Sequence, residues 1–316
     1  MEISQQNFYR VFINCLFPVV CMGLATSSAV FAQDVAPDPE QRVILVTGST
    51  GGLGRETALA LAAAGDHVII HGRNEERARE VMTLIEQEGS GSARFYKADL
   101  ASLDETKQLA RSILADYDRL DVLVNNAGVA LPADVGRQVT EDGYELHFQV
   151  NYLAGYVLTE LLLPLLKESA PSRVVNVASG QKPLEFDNLM LEEGYEGLEA
   201  YFRSKNAQIM MTYAMADDLA QHDITITALF PSALMDTDMV RDLGFEPRSS
   251  VETGRDALLQ LINDDVGTGK YFDIFVVGEA IPQASDPEAQ RKLLEASAEL
   301  TGVPESSSQP RESIAD

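Results

Sequence analysis

A tyrosine and a lysine that could take part in proton transfer stand four positions apart in a helical stretch, at Tyr201 and Lys205. This spacing puts both side chains on one face of a helix. A phenol exchanges a proton near neutrality only when its anion is stabilised, which a neighbouring ammonium does. Ser179 follows the strand pattern at 173–178 and stands at its carboxyl end, the edge where open α/β sheets bind their ligands. Singly, each is also an ordinary helix or turn residue; together they predict acid–base chemistry at an oxygen atom.

A glycine-rich stretch, Thr47 to Gly54, lies between the β-branched run 43–46 and a helical pattern over 55–64. Glycines at such a turn let backbone N–H groups approach an anion, and the helix dipole favours a phosphate there. A glycine-rich surface turn is the plainer alternative. The strand–turn–helix context at the front of a βαβ succession favours dinucleotide binding.

The end of the second predicted strand indicates which dinucleotide is preferred. An acidic residue near this point would hold the ribose 2′-hydroxyl, whereas an arginine would pair with a 2′-phosphate. Here Gly72 leaves the acidic position empty and Arg73 supplies a cation. The sequence therefore predicts NADP(H) in preference to NAD(H). Alternatively, Arg73 begins a charged helix with Glu75 and Glu76.

Strand and helix patterns alternate along the whole body of the chain. Apolar, β-branched runs predict strands, and periodic apolar positions predict helices. The predicted strands are 42–47, 67–71, 93–97, 121–124, 173–178, 224–230 and 271–275, and the predicted helices are 52–64, 74–88, 103–118, 141–168, 201–221 and 254–263. Strands that are apolar throughout are expected where helices cover both faces of a sheet. The prediction is an α/β, Rossmann-like, doubly wound parallel sheet in a single domain.

Composition limits the partners and the kinds of site. The 316 residues carry a formal net charge of −25 and a pI of about 4.4, which argues against nucleic-acid binding. Both cysteines, Cys15 and Cys21, lie in the first 32 residues. The four histidines show no metal-ligand spacing, so we expect no metal site.

The first 32 residues resemble a targeting segment rather than part of the fold. Arg10 precedes an apolar stretch over 15–25, and small residues lead up to Gln33. The pattern predicts a secretory signal peptide and an exported, periplasmic or secreted protein. An uncleaved membrane anchor is the alternative, and it would be the chain's one route to a membrane. We expect the body to span 40–303 and residues 304–316 to be a disordered tail.

These motifs, taken in order over about 42–303, resemble the short-chain dehydrogenase/reductase family, in particular its retinol dehydrogenase-like and WW-domain-oxidoreductase-like members. The cofactor turn, the segment Asn125-Asn126-Ala127-Gly128, the serine strand and Tyr201-x-x-x-Lys205 each match a family motif. So does Thr268 to Phe272, which resembles the C-terminal strand of the retinol dehydrogenase-like group.

The resemblance implies a role for each matching residue. Tyr201 would be the general acid or base, Lys205 would lower its pKa and hold the nicotinamide ribose, Ser179 would bind the substrate oxygen and Asn151 would anchor a relay water. Thr237 stands one position later than the family's threonine, and Ser232 replaces the family's glycine after Pro231. The implied cofactor-binding residues are Gly48, Ser49, Thr50, Gly52, Leu53, Gly54, Arg73, Asp99, Leu100, Asn126, Ala127, Gly128, Tyr201, Lys205, Pro231 and Thr237.

The expected function is reversible hydride transfer between NADP(H) and an apolar alcohol, aldehyde or ketone, by an enzyme acting on CH–OH groups. Residues 235–245 are rich in apolar side chains and form either a mobile lid over the substrate or a surface helix packed on the core. A homo-oligomer is possible. The alternative function is a non-catalytic dinucleotide-binding sensor or scaffold, because a fold alone does not guarantee an activity.

Overall fold

Eight strands form one sheet in the computed structural model, which describes residues 36–132 and 134–305. Across the sheet the strands follow the order 3-2-1-4-5-6-7-8; the first seven are parallel, and the eighth pairs antiparallel with the seventh. This is the predicted α/β sheet, and its order reverses between the first and fourth strands. In chain order the strands are β1 (Val43–Val46), β2 (His67–Gly72), β3 (Ser92–Lys97), β4 (Val122–Asn125), β5 (Ser172–Val177), β6 (Ile224–Phe230), β7 (Lys270–Asp273) and β8 (Val276–Val277).

Helices cover both faces of the sheet. Successive side chains on a strand point to opposite faces of the sheet. The helices on one face therefore share a core with Leu45 of β1, and the helices on the other face share a core with Ile44. One layer contains α3 (Leu103–Asp116), α4 (Ala154–Glu168), α5 (Gly197–Ala220) and α8 (Pro287–Thr301); the other contains α1 (Gly52–Ala63), α2 (Glu75–Glu88) and α7 (Val251–Asn263). A short helix, α6 (Asp238–Asp242), lies in the loop after β6.

Side-chain caps fix where several helices begin. The Asn74 side chain accepts hydrogen bonds from the N–H groups of Glu76 and Arg77, which starts α2 directly after the β2 turn. Ser102 caps α3, and Asp286 caps α8 next to a proline at its first position. Each cap satisfies N–H groups that have no partner within the helix.

The predicted helix over 141–168 is the element that differs most from the structure. The helix α4 begins at Ala154, and a π-helical turn, Phe148–Leu153, precedes it. The helical path starts at Leu146, and the residues before it form turns and an isolated bridge between Val139 and Glu145. A π turn inserts one extra residue into the helical path, so a pattern read at the α-helical period misplaces the start.

The C-terminal helix α8 was not predicted, yet it completes the core. It packs on α5 and on the π turn, where the Tyr152 hydroxyl lies 2.7 Å from Ser297 Oγ. The Tyr156 hydroxyl donates to the Val303 carbonyl at 3.0 Å, so the packed body reaches at least that residue. The Asp286-Pro287 pair is the sequence signal that could have predicted the start of this helix.

The proposed leader, residues 1–32, lies outside the described residues, as do all but Pro304 and Glu305 of the proposed tail. Signal peptide, anchor and tail therefore stay predictions. None of the helices in residues 36–132 and 134–305 combines the length and the apolar character that a membrane span needs.

Candidate active site

The glycine turn after β1 is packed too closely for side chains. Gly48 has a φ of +67°, and a Cβ atom there would lie 2.9 Å from Ala127 Cα. A Cβ atom on Gly54 would lie 2.4 Å from the Gly48 carbonyl oxygen. Asn126 donates from its side chain to the Thr47 carbonyl at 2.7 Å, which ties the segment after β4 to the turn. The segments that follow β1 and β4 are therefore held together as one unit.

The N-terminus of α1 is open for an anion. Its N-cap is Gly51, no side chain caps it, and its first turn contains no acidic residue. Backbone N–H groups and the helix dipole at such an end favour a phosphate. Leu53 is buried against the second face of the sheet and keeps the helix start in place.

Ser49 and His71 are buried beneath the glycine turn and support its backbone. The buried Ser49 hydroxyl accepts a hydrogen bond from the His71 N–H at 3.0 Å, and the Ser49 N–H donates to the His71 carbonyl. His71 Nδ1 accepts from the Gly48 N–H at 3.2 Å, and burial lowers the pKa of His71 to about 4. Sequence reasoning missed this histidine, because a single histidine near the end of a strand carries no pattern. Contact between Ser49 and the cofactor stays a prediction.

An open cleft of about 570 Å³ lies beside the turn, and we call it the basic cleft; it is lined by Thr50, Arg73, Asn74, Glu75, Arg77 and Lys97. Gly72 leaves no room for a carboxylate here, since a Cβ atom would lie 2.7 Å from Thr50 Oγ1. Arg73, the cation predicted from the sequence, lines this cleft and pairs with Asp99 at 3.2 Å. Sequence reasoning missed Arg77 and Lys97, which reach the cleft from α2 and β3.

Each cation of the basic cleft has a solvent-exposed carboxylate partner. Lys97 lies 2.8 Å from Glu75, and Arg77 lies 3.3 Å from Asp238 in the loop after β6. Exposed pairs of this kind are weak, so a phosphate can compete for these cations at low cost. Behind the cleft, Leu100 is buried next to Asp99.

The four residues predicted to be catalytic form what we call the catalytic cluster: Asn151, Ser179, Tyr201 and Lys205. The amide of Asn151 spans the backbone of Val129, accepting from its N–H at 2.7 Å and donating to its carbonyl at 3.0 Å. It also donates to Ser204 Oγ on α5 at 2.9 Å. The π turn thereby fixes the loop after β4 to the helix of the tyrosine and lysine.

Lys205 is buried, with an exposed fraction of 3%, and its ammonium bonds to uncharged acceptors. Its Nζ donates to the Val177 carbonyl at 2.7 Å and to Gln208 Oε1 at 2.9 Å. Desolvation lowers the pKa of Lys205 to about 7. Gln208 was not predicted; it lies one turn after the lysine, on the same helix face, which is the signal that could have found it.

Tyr201 lies one turn before Lys205, and the Lys205 Nζ is 5.8 Å from the centre of its ring. Burial raises the pKa of Tyr201, and a hydrogen bond with Ser179 opposes that rise. The structure therefore brings tyrosine, serine and lysine together as predicted. The lowering of the phenol pKa by Lys205 stays a prediction, because burial is the largest influence on Tyr201 here.

Gly128 joins the two halves of the site. A Cβ atom at this position would lie 3.3 Å from Asn151 Oδ1 and 3.4 Å from Lys205 Nζ. Its neighbour Ala127 contacts the glycine turn at Gly48. The backbone after β4 thus passes between the glycine turn and the catalytic cluster, at the carboxyl edge of the sheet where open α/β folds bind ligands.

The loop after β6 covers the turn from the other side. Thr237 Cγ2 would lie 3.4 Å from a Cβ atom on Gly52, and its hydroxyl donates to the Met235 carbonyl at 3.4 Å. Pro231 is buried at the start of this loop. The helix α6 contains no buried residue, and Met235 just before it packs on the core. The alternative of a surface helix packed on the core stays a prediction, and so does a mobile lid.

The family model described as short chain dehydrogenase matches residues 42–247. The chain belongs to this family. It is 41% identical over 272 residues to an uncharacterized oxidoreductase of Schizosaccharomyces pombe, covering 82% of this chain and 76% of that protein. It is 31% identical over 321 aligned positions to retinol dehydrogenase 13 of Mus musculus, covering 91% of this chain and 94% of that protein.

Solved structures agree with the family assignment. A protein of Escherichia coli CFT073, described as a short chain dehydrogenase and solved with NADPH, is 30% identical with a TM-score of 0.61. The match covers 76% of this chain and 98% of that one. The short-chain dehydrogenase described here is accordingly an NAD(P)-dependent oxidoreductase, and the resemblance to retinol dehydrogenases is confirmed. Within residues 36–132 and 134–305, no group of three or more potential ligands could hold a metal ion.

Proposed function

We propose that this chain catalyses reversible hydride transfer between NADP(H) and an apolar alcohol, aldehyde or ketone. The observation that carries the proposal is the position of Gly128, whose backbone lies against both Asn151 and Lys205. Through Ala127 the same segment lies against the glycine turn. A proton-transfer group and a phosphate-binding turn therefore share one edge of the sheet, as dehydrogenation requires.

The residues of the turn fit a dinucleotide. The close contacts of Gly48 and Gly54 leave backbone rather than side chains facing the ligand, and the uncapped start of α1 offers N–H groups to its phosphates. When bound, the dinucleotide supplies or accepts the hydride. The residues proposed to hold it are Gly48, Ser49, Thr50, Gly52, Leu53, Gly54, Arg73, Asp99, Leu100, Asn126, Ala127, Gly128, Tyr201, Lys205, Pro231 and Thr237.

The catalytic cluster is proposed to handle the proton. In reduction, the Tyr201 hydroxyl donates its proton to the carbonyl oxygen, and in oxidation the phenolate takes the proton of the alcohol. Burial raises the pKa of Tyr201, which keeps the phenol protonated and suits the acid role. Ser179 donates a hydrogen bond to the same oxygen, and the Lys205 ammonium stabilises the phenolate. Asn151 holds the loop after β4 and anchors a relay water.

The basic cleft supports a preference for NADP(H). Arg73, Arg77 and Lys97 surround the side of the turn where the adenosine ribose would lie, and Gly72 excludes a competing carboxylate. A 2′-phosphate would receive charge-assisted hydrogen bonds from these cations, whereas a 2′-hydroxyl would gain little.

The loop after β6 supports an apolar substrate. Met235 packs on the core from a half-buried position, and Phe245 exposes 43% of its surface in the same loop. The retinol dehydrogenase among the relatives carries an apolar alcohol in its name. An apolar loop closed over the catalytic cluster would bury such a substrate and exclude water from the reaction.

The test is oxidation of NADPH with a panel of carbonyls: retinal, a long-chain aliphatic aldehyde, an aliphatic ketone and, as a polar comparison, a hexose. We expect turnover with the apolar members, and a loss of about 10²–10⁴-fold in Tyr201→Phe. Tyr213→Phe is the matched control, because Tyr213 is a half-buried tyrosine of the same helix that packs on the core. It should keep wild-type activity.

The same experiment tests the alternative of a non-catalytic sensor or scaffold. Tight NADPH binding without turnover of any member of the panel, in wild type and Tyr201→Phe alike, would contradict the proposed enzyme and support the sensor. Export remains part of the proposal. Mass spectrometry of the purified protein should find a chain that begins at Gln33, whereas an intact Met1 would support an anchor.

A further inference from the structure

A buried carboxylate and a buried imidazole lie just before the π turn and outside the catalytic cluster. Glu145 and His147 expose 1% and 0% of their surfaces, and His147 Nδ1 lies 2.7 Å from Glu145 Oε1. His147 Nε2 accepts a hydrogen bond from the Leu131 N–H at 3.3 Å, which assigns the ring proton to Nδ1. We call these two residues the Glu145–His147 pair.

The pair connects two of the elements that build the site. The second oxygen of Glu145, Oε2, accepts from the Phe148 N–H at 2.7 Å and so caps the π turn that carries Asn151. The bond from the Leu131 N–H holds the loop after β4, two residues beyond the point where Asn151 holds Val129. The turn and the loop are therefore fixed to each other twice.

The third element is the helix of the catalytic tyrosine. The His147 ring meets the Tyr201 ring edge-on, with 6.4 Å between ring centres. Tyr201 also meets the ring of Phe202, with 5.5 Å between ring centres. The Leu131 carbonyl also lies 3.8 Å from a Cβ atom on Gly197, at the start of the same helix. The imidazole thus forms one wall of the space in which the phenol ring can turn.

We propose that the Glu145–His147 pair is a positioning unit that sets the orientation of the Tyr201 ring and of the loop after β4 for proton transfer. The inference rests on the proposed function. Burying a carboxylate carries a large desolvation cost, which two N–H donors only partly repay, whereas apolar residues would fill the space more cheaply. Proton transfer takes place over hydrogen-bond distances, so it requires the Tyr201 ring and the loop after β4 to be held in a fixed orientation.

The decisive variant is Glu145→Gln, which keeps the size of the side chain. An amide has one oxygen, so it can accept from His147 or from Phe148 but leaves the other donor facing an NH₂ group. We expect kcat for carbonyl reduction to fall about 10–100-fold, with KM for the carbonyl and Kd for NADPH within about twofold of wild type. Because both residues act as one unit, Glu145→Gln combined with His147→Leu should cost no more than His147→Leu alone.

Two comparisons separate positioning from general loss of stability. His147→Gln can still accept from the Leu131 N–H, so it should retain more kcat than His147→Leu. His67→Leu removes another fully buried histidine, one that bonds Ser92 and Tyr117 at the start of β2. This control should lower the melting temperature while leaving kcat unchanged.

A readout independent of activity keeps the inference separate from the proposed function. In protein labelled with fluorotyrosine, the Tyr201 resonance, assigned by its loss in Tyr201→Phe, should be one sharp line in wild type and in His67→Leu. It should broaden or split in Glu145→Gln. An unchanged line together with an unchanged kcat would overturn the inference and leave the proposed function standing. If wild type turns over no carbonyl, the proposed function fails, and the fluorine spectrum alone decides on the pair.

Discussion

The basic cleft and the catalytic cluster both contain cations, but in opposite surroundings. In the cleft, Arg73 exposes 64% of its side chain and pairs with a carboxylate across solvent. In the cluster, Lys205 is buried and bonds only to a carbonyl and an amide among the partners described. Exposed pairs contribute little to stability, whereas burying a charge shifts its pKa and couples it to the fold. Changes in the cleft should therefore alter cofactor choice alone, and changes in the cluster should alter chemistry and stability together.

After the Tyr201 variant, the largest effect that would sharpen this contrast is expected at Ser179, the residue proposed to bind the substrate oxygen. Ser179→Ala should lower kcat for carbonyl reduction by about 10²-fold, because one donor to the reacting oxygen is lost. The measurement is steady-state NADPH oxidation at saturating carbonyl. Ser232→Ala is the control, since Ser232 bonds Ser249 at 2.9 Å in the loop after β6. Equal losses in the two variants would argue against a specific role for Ser179.

The second prediction concerns stability and pH. The pKa of Lys205 is about 7 in the fold and 10.5 as its ordinary value, so between these pH values the unfolded chain binds more protons. The contribution of Lys205 therefore increases the free energy of unfolding as the pH rises through this window, by up to about 1.4 kcal/mol per pH unit. In Lys205→Met this contribution is absent. Denaturant unfolding of both proteins across the window checks it, and parallel pH profiles would break the contrast.

The third prediction concerns the cleft. Arg73→Ala should weaken NADPH binding about 10-fold and NADH binding less than about twofold, because one charge-assisted contact to the 2′-phosphate is worth about 1.5 kcal/mol or more. The melting temperature should not change. Titration calorimetry with both cofactors measures the effect. Arg79→Ala is the control, since Arg79 is an exposed arginine of α2 paired with Glu75. An equal loss for NADPH and NADH would remove the 2′-phosphate assignment.

The smallest prediction concerns the link between the cleft and the loop after β6. Asp238→Asn removes the carboxylate that pairs with Arg77 at 3.3 Å, which leaves Arg77 available to a phosphate. NADPH binding should strengthen about twofold at low salt, and the gain should shrink as ionic strength rises. A gain of the same size for NADH would show that the effect does not act through the 2′-phosphate.

The two regions also differ in how far the sequence predicts them. The glycine turn, the strands and the Tyr201/Lys205 spacing follow from local patterns, and the family match confirms the fold to which they belong. Arg77 and Lys97 could not be placed in advance, because their meeting depends on how α2 packs beside β3. The Glu145–His147 pair was missed for a similar reason. Its residues lie two apart at the start of a helical path, where residues at this spacing do not ordinarily face each other.

The helical boundary at Ala154 shows the same limit on a smaller scale. The apolar pattern over 141–168 predicts a helix, but the π turn is set by contacts of Asn151 and Glu145 with other segments. Periodicity reports which face of an element is buried and not where the element begins. The family resemblance was enough to name Asn151, but the contacts that hold its turn could be found only in the structure.

The most direct test of the central claim is a single-turnover measurement of hydride transfer from bound NADPH to a saturating apolar aldehyde, in wild type and in Tyr201→Phe. We expect a rate about 10³-fold slower in the variant, with the Kd for NADPH within about twofold of wild type. A variant that oxidises its bound NADPH at more than about a tenth of the wild-type rate would contradict Tyr201 as the proton donor.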